Sequence, residues 1–92
     1  MKVVQVSANR DYEGTVWTVL FSSVEKAYED LRNQPADTFA GVDGLDIAWV
    51  AVDDGSYERV ASLDVKFTWG DPDTVVFREW NSEKKDYETF SF

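Results

Sequence analysis

From Tyr57 to Trp69 the chain alternates without a break. Tyr57, Arg59, Ala61, Leu63, Val65, Phe67 and Trp69 fall on one side, and Glu58, Val60, Ser62, Asp64, Lys66 and Thr68 on the other. Successive side chains of an extended strand point to opposite faces, so this period of two predicts a long strand with one largely apolar face. Such a strand cannot stand alone: its backbone groups need neighbouring strands, and its apolar face needs a cover. With 92 residues in total, neighbours and cover must come from one domain spanning 1–92.

The neighbours are legible on both sides. Residues 3–8 and 15–21 are β-branched and aromatic and flank the turn-prone segment 9–14, which predicts a hairpin with a longish loop. Residues 45–52 read as a strand, and Asp53-Asp54-Gly55-Ser56 as the turn leading into the alternating run, with Gly55 taking a positive φ. After a break at Gly70-Asp71-Pro72-Asp73, residues 74–80 form a further strand, 81–86 a polar turn and 87–92 a terminal edge strand.

The cover is a helix. Val24, Ala27, Tyr28 and Leu31 form an i, i+3, i+4, i+7 stripe, with Glu25, Lys26, Glu29, Asp30 and Arg32 facing away. Ser22 with Glu25 has the spacing of a capping box, and Pro35 stops the helix by excluding Gln34 from the α region. Residues 36–44 read as a loop anchored by Phe39. The fold class is therefore α+β, five or six mostly antiparallel strands with one amphipathic helix packed on one face. One helix covers one side of such a sheet, so the other side faces water or a partner. Four Trp, four Tyr and six Phe exceed what one small core needs.

Composition removes whole classes of chemistry. There is no His and no Cys, which excludes a Ser-His-Asp triad, a Cys nucleophile, a Cys/His zinc site and any disulfide. Gly41-Val42-Asp43-Gly44 has no Lys or Thr after it and is not a phosphate loop, so no cofactor is expected. Asp71-Pro72-Asp73 and Asp43-Gly44-Leu45-Asp46 carry hard oxygen ligands but lack the twelve-residue frame of a calcium loop, and no metal site is assigned. Residues 1–6 lack the apolar run of a secretory signal, and no stretch approaches the length of a membrane span. The expected setting is the cytoplasm.

Eighteen acidic residues against nine basic ones give a net charge of −9, and the excess is unevenly placed. Glu29 to Glu58 holds eight acids and a single base, Arg32. Glu29 and Asp30 also sit near the helix C-terminus, where the helix dipole disfavours anions. Such a surface attracts cationic partners and opposes direct binding to nucleic acid or to anionic membranes. The partner implied is a basic protein, met by Asp37, Asp43, Asp46, Asp53, Asp54 and Glu58 together with the aromatics Trp49 and Tyr57.

The segment Val19-Leu20-Phe21-Ser22-Ser23-Val24-Glu25-Lys26-Ala27-Tyr28, after an opening strand and a polar loop with Asp11-Tyr12, resembles a broad group of small uncharacterised phage and bacterial proteins, in which a strand ending F-S leads into a helix beginning x-x-E-K-A. The resemblance covers about a quarter of the chain and implies a bacterial host cell. In that setting small acidic cysteine-free proteins act as inhibitors of anti-restriction, anti-CRISPR or nuclease-immunity type. The expectation is thus a non-enzymatic inhibitor that occludes a basic, nucleic-acid-handling surface. The alternatives are an assembly protein forming a homodimer through a sheet face or edge, and a carbohydrate-binding module using exposed Trp side chains.

Overall fold

A computed structural model describes residues 1–68 and 71–92, and at 68 and 71–73 the backbone alone. Six strands form one antiparallel sheet: β1 (Lys2–Arg10), β2 (Gly14–Phe21), β3 (Gly44–Ala51), β4 (Tyr57–Thr68), β5 (Asp71–Asn81) and β6 (Asp86–Phe90), in the spatial order β2-β1-β3-β4-β5-β6. One connection skips a neighbour. Between β2 and β3 the chain crosses β1 through helix α1 (Val24–Asn33) and a short 3-10 turn, Ala36–Phe39, so helix and turn lie on one face of the sheet.

Residues paired directly across strands point to the same face, so the registers fix what each face carries. Val4, Val6 and Ala8 of β1 pair with Phe21, Val19 and Trp17 of β2 and with Trp49, Ile47 and Leu45 of β3. Leu45 and Ile47 pair in turn with Leu63 and Ala61, and Val65 with Phe77. This is the covered face. Ala27 and Leu31 of α1 close over it with Phe39 and Val42, and Val4, Val6, Ile47 and Phe39 are wholly buried. Each aliphatic side chain buried in this way contributes about 1.5–3 kcal/mol relative to exposure.

The helix begins one residue later than the capping-box spacing implies. Ser23, not Ser22, is the N-cap: it is extended (φ −151°, ψ 161°), and its hydroxyl accepts from the Lys26 N–H at 3.2 Å. The third helical residue is then Lys26, which has no acceptor to return to the cap, so the cap is one-sided. Gln34 is extended (ψ 141°) ahead of Pro35, as steric exclusion requires. Its side-chain amide donates to both carboxylate oxygens of Asp30 at 3.2 Å, which gives that unfavourably placed acid a partner.

The unbroken alternation of 57–69 does not survive in the structure. A register shift opposite Ile47 and Ala48 leaves Val60 as an extra residue in β4. Ala61, Leu63 and Val65 point to the covered face, whereas Arg59, paired with Ala48, and Tyr57, paired with Val50, point to the other. One inserted residue inverts every side chain beyond it, and periodicity alone cannot show which side of the insertion faces the core. Strand β5 also starts earlier than expected, at Asp71. Trp69 and Gly70 lie outside the described residues. At the far end β6 stops at Phe90, and Phe92 turns onto the helix. Its ring packs on Tyr28, Phe77 and Phe90 at centroid distances of 4.8–5.4 Å, and its main-chain oxygen accepts from Arg32 Nη1 at 3.1 Å. Burial, and then the Glu79 charge, raise the pKa of Tyr28 in this cluster.

Candidate partner-binding face

The second face of the sheet has no helix over it. Its strands present Gln5, Ser7 and Asn9 on β1, Thr18 and Leu20 on β2, Asp46 and Ala48 on β3, Arg59, Ser62, Asp64 and Lys66 on β4, Arg78 and Trp80 on β5, and Tyr87 on β6. A polar network ties its middle. Asp46 accepts from Asn9 Nδ2 at 2.8 Å and from Ser62 Oγ at 2.9 Å, which links β1, β3 and β4. Arg78 donates to Asp64 Oδ2 from Nη2 at 2.6 Å and Nε at 3.2 Å, and its guanidinium lies 4.7 Å from the centre of the Tyr87 ring.

A groove of about 430 Å³ opens at one end of this face, lined by Asp11, Asp43, Arg59, Asp64, Trp80 and Tyr87 among others. Its aromatic wall follows from local pairing: Trp80 and Tyr87 sit directly opposite each other where β5 and β6 leave their turn, with rings edge to face at 5.2 Å. Trp80 is 53% exposed. The acidic rim is built by the backbone. Asp43 is held between β1 and β4 by its N–H to Asn9 O (2.8 Å) and its carbonyl to Val65 N–H (3.0 Å), and its carboxylate accepts from the Asp11 N–H at 2.8 Å. Arg59 makes no ion pair among the described residues.

The eight residues singled out in the sequence do not form one patch. Asp43 and Asp46 lie at the groove end of β3. Asp53 and Asp54 lie in the turn beyond the other end of that strand, while Tyr57 and Glu58 open β4 opposite Val50 and Trp49, about 10–13 Å along the strand from Asp46. Asp37 is exposed on the 3-10 turn, on the helix side. Trp49 is half-buried on the covered face opposite Glu58. The 53–58 hairpin is locally compensated. The Met1 ammonium is 3.4 Å from Asp53, and Lys2 joins Tyr57 and Glu58 around a shallow recess. The Asp54 carboxylate accepts from the Ser56 N–H at 2.9 Å, a bond that lowers its pKa.

Trp80, Tyr87 and Arg59 were not among the eight. The signal for the first two was present: residues flanking a hairpin turn face each other, and 81–86 reads as such a turn. Arg59 was hidden by the bulge. Among the described residues no group of three or more acidic side chains has a metal-binding arrangement; Asp43 and Asp46 are occupied by the hydrogen bonds above, and the side chains of Asp71 and Asp73 lie outside the description. Among the described residues no helix is long and apolar enough to cross a membrane. No protein-family description, curated protein or solved structure matches the chain.

Proposed function

We propose that this protein binds a basic, nucleic-acid-handling surface of a partner protein and occludes it without catalysing a reaction. The reading is carried by the groove on the uncovered face, whose lining joins the exposed Trp80 indole to Asp11 and Asp43, with Asp64 held by Arg78 and with Arg59 as a cation in the same lining. A carboxylate rim around an aromatic face accommodates a lysine or arginine side chain: the ring supplies cation–π attraction and the carboxylates supply charge-assisted hydrogen bonds. The net charge of −9 steers such a partner toward the molecule, while the aromatic pair provides the anchor that sets the off-rate.

Within this reading the two acidic regions have different parts. The groove end combines an exposed aromatic pair, of the kind enriched at interface centres, with carboxylates of the kind found at their polar rims. The 53–58 hairpin, partly neutralised by the neighbouring Met1 ammonium, acts through long-range attraction. Purified bacterial nucleases and nucleoid proteins holding labelled duplex DNA provide the test. The protein releases DNA from its target in a salt-sensitive manner, and Asp43→Asn combined with Trp80→Ala abolishes release. Release that is unaffected by that pair of substitutions contradicts the assignment of the groove, and a failure to displace DNA from any member of the panel contradicts the function.

A further inference from the structure

Tyr12 stands at the tip of the β1–β2 hairpin with its backbone in the left-handed region, φ +68°. The Glu13 N–H donates to Arg10 O at 3.1 Å, so residues 10–13 form a β-turn with Tyr12 as its third residue. A positive φ at that position favours glycine or asparagine, and a bulky side chain is strained there because its Cβ crowds the backbone. The ring does not compensate for the strain. It is wholly exposed, and among the described residues it makes no hydrogen bond or ring contact. The conformation is held instead by the neighbours of Tyr12. The Asp11 N–H donates to Asp43 Oδ2 at 2.8 Å, Arg10 Nε to Gly41 O at 2.7 Å, and Arg10 Nη1 to Glu13 Oε2 at 2.9 Å. Gly41, φ +74°, leaves the space for this, since a Cβ there would collide with the Arg10 guanidinium. Two of the three bonds thus run to residues 41–43, and Asp11 and Asp43 both line the groove beside Trp80. The hairpin tip is locked to the acidic wall of that groove.

We infer that Tyr12 is a further contact residue of the groove, an aromatic platform that meets an arginine side chain of the basic partner where the bound segment leaves the groove. The inference rests on the function proposed above and extends its site to the hairpin tip. Strain of this kind persists where the surroundings over-determine a conformation, and it collects at ligand clamps and contact sites. The occupant follows from the chemistry around the ring. Tyr12 lies between Asp11 and Glu13, and the acidic rim begins at the residue before it. A guanidinium lies flat on an aromatic face while its edge donates to carboxylates, so an aromatic flanked by acids suits arginine. The molecule uses the same chemistry internally, where Arg78 is bound by Asp64 and its guanidinium sits 4.7 Å from the centre of the Tyr87 ring. A ring whose backbone is fixed before contact loses little freedom on binding, because tyrosine has only two side-chain torsions to order.

Calorimetric titration with an oligoarginine peptide, alongside urea denaturation of the free protein, tests the assignment. Tyr12→Asn removes the ring and places at this φ a residue that adopts it more readily. The variant is expected to raise the urea midpoint of the free protein and to weaken peptide binding about tenfold, as the loss of an aromatic interface anchor does. Tyr12→Phe keeps the ring and recovers the affinity that Tyr12→Asn loses. Unchanged affinity in Tyr12→Asn would overturn the inference, and so would a lowered urea midpoint, which would give the ring a structural part. The inference and the function it rests on fail differently. If the peptide binds the wild type, is lost with Trp80→Ala combined with Asp43→Asn and is indifferent to Tyr12→Asn, the groove stands and Tyr12 is no part of it. If the peptide does not bind the wild type, both are overturned. Self-association of the wild type that Tyr12→Asn abolishes would also overturn the inference, in favour of a second copy as the occupant.

Discussion

Asp64 and Arg78 face each other across β4 and β5, with Oδ2 2.6 Å from Nη2, and the guanidinium so held stacks on Tyr87 of β6. One ion pair therefore sets the position of the aromatic wall two strands away from the acidic rim. Both side chains keep a quarter to a third of their surface in water, so solvent moderates the pair. Arg78→Ala is expected to lower stability by about 1 kcal/mol and to alter Trp80 emission through the released Tyr87. Urea denaturation followed by fluorescence measures both. Unchanged emission would show that Tyr87 is held by Trp80 alone.

The position of the helix cap separates two nearly equivalent serines. Ser23→Ala removes the acceptor for the Lys26 N–H and costs about 1 kcal/mol, while Ser22→Ala stays within a few tenths. Equal losses in the two variants would place the cap incorrectly.

The 3-10 turn carries a plug that the core requires. Phe39 is wholly buried and packs edge to face on Phe77 at 5.0 Å and against Trp17 at 6.2 Å. Phe39→Ala is expected to cost about 3–5 kcal/mol, a large part of the stability of a domain this size, and to shift the urea midpoint accordingly. A loss below about 1 kcal/mol would mean that the turn is not anchored on the sheet.

Two exposed carboxylates give the pH dependence a definite sign. The Ser56 N–H holds the Asp54 pKa low, and hydrogen bonds from Lys84 and then Asn81 do the same for Glu88. A folded-state pKa below the unfolded one contributes stability that is complete above the unfolded value and is lost as pH falls through the folded value. Lys84 shifts upward through Glu88, so its contribution is present below its unfolded pKa and is lost as pH rises through the folded one. NMR titration of the side-chain carboxyls should therefore find Asp54 and Glu88 ionising below their free counterparts. Glu88→Gln should return the Lys84 pKa toward its ordinary value. An Asp54 midpoint at or above that of a free aspartate would contradict the turn geometry.

The architecture could be read from local patterns because each element advertises its own boundary. The helix stripe Val24, Ala27, Tyr28 and Leu31 ends at Pro35, and Gly55 turns one hairpin with φ +72°. Phe39 was visible as a lone aromatic in a polar loop, and it is the plug. What could not be read was how distant segments align. The extra residue Val60 sends Tyr57 and Arg59 to the opposite face from Ala61, because a bulge depends on pairing with β3 and leaves no mark in the alternation itself. For the same reason, acids clustered between 29 and 58 in sequence are spread over the helix, the 3-10 turn, β3 and the turn beyond it, and β4, whereas Asp11 and Asp64, outside that window, join Asp43 in the groove. Charge clustering along a chain indicates clustering in space only within a turn; along a strand it spreads charge at about 3.3 Å per residue.

The central claim is that the groove beside Trp80 receives a basic side chain. Amide and indole chemical-shift mapping with an arginine-rich peptide, at two salt concentrations, tests it most directly. The account predicts shifts concentrated on the Trp80 indole, Tyr87, Ser62 and Asp43, weakened by salt and lost in Trp80→Ala combined with Asp43→Asn. Shifts confined to the 53–58 hairpin, or spread evenly over every acidic residue, would contradict it.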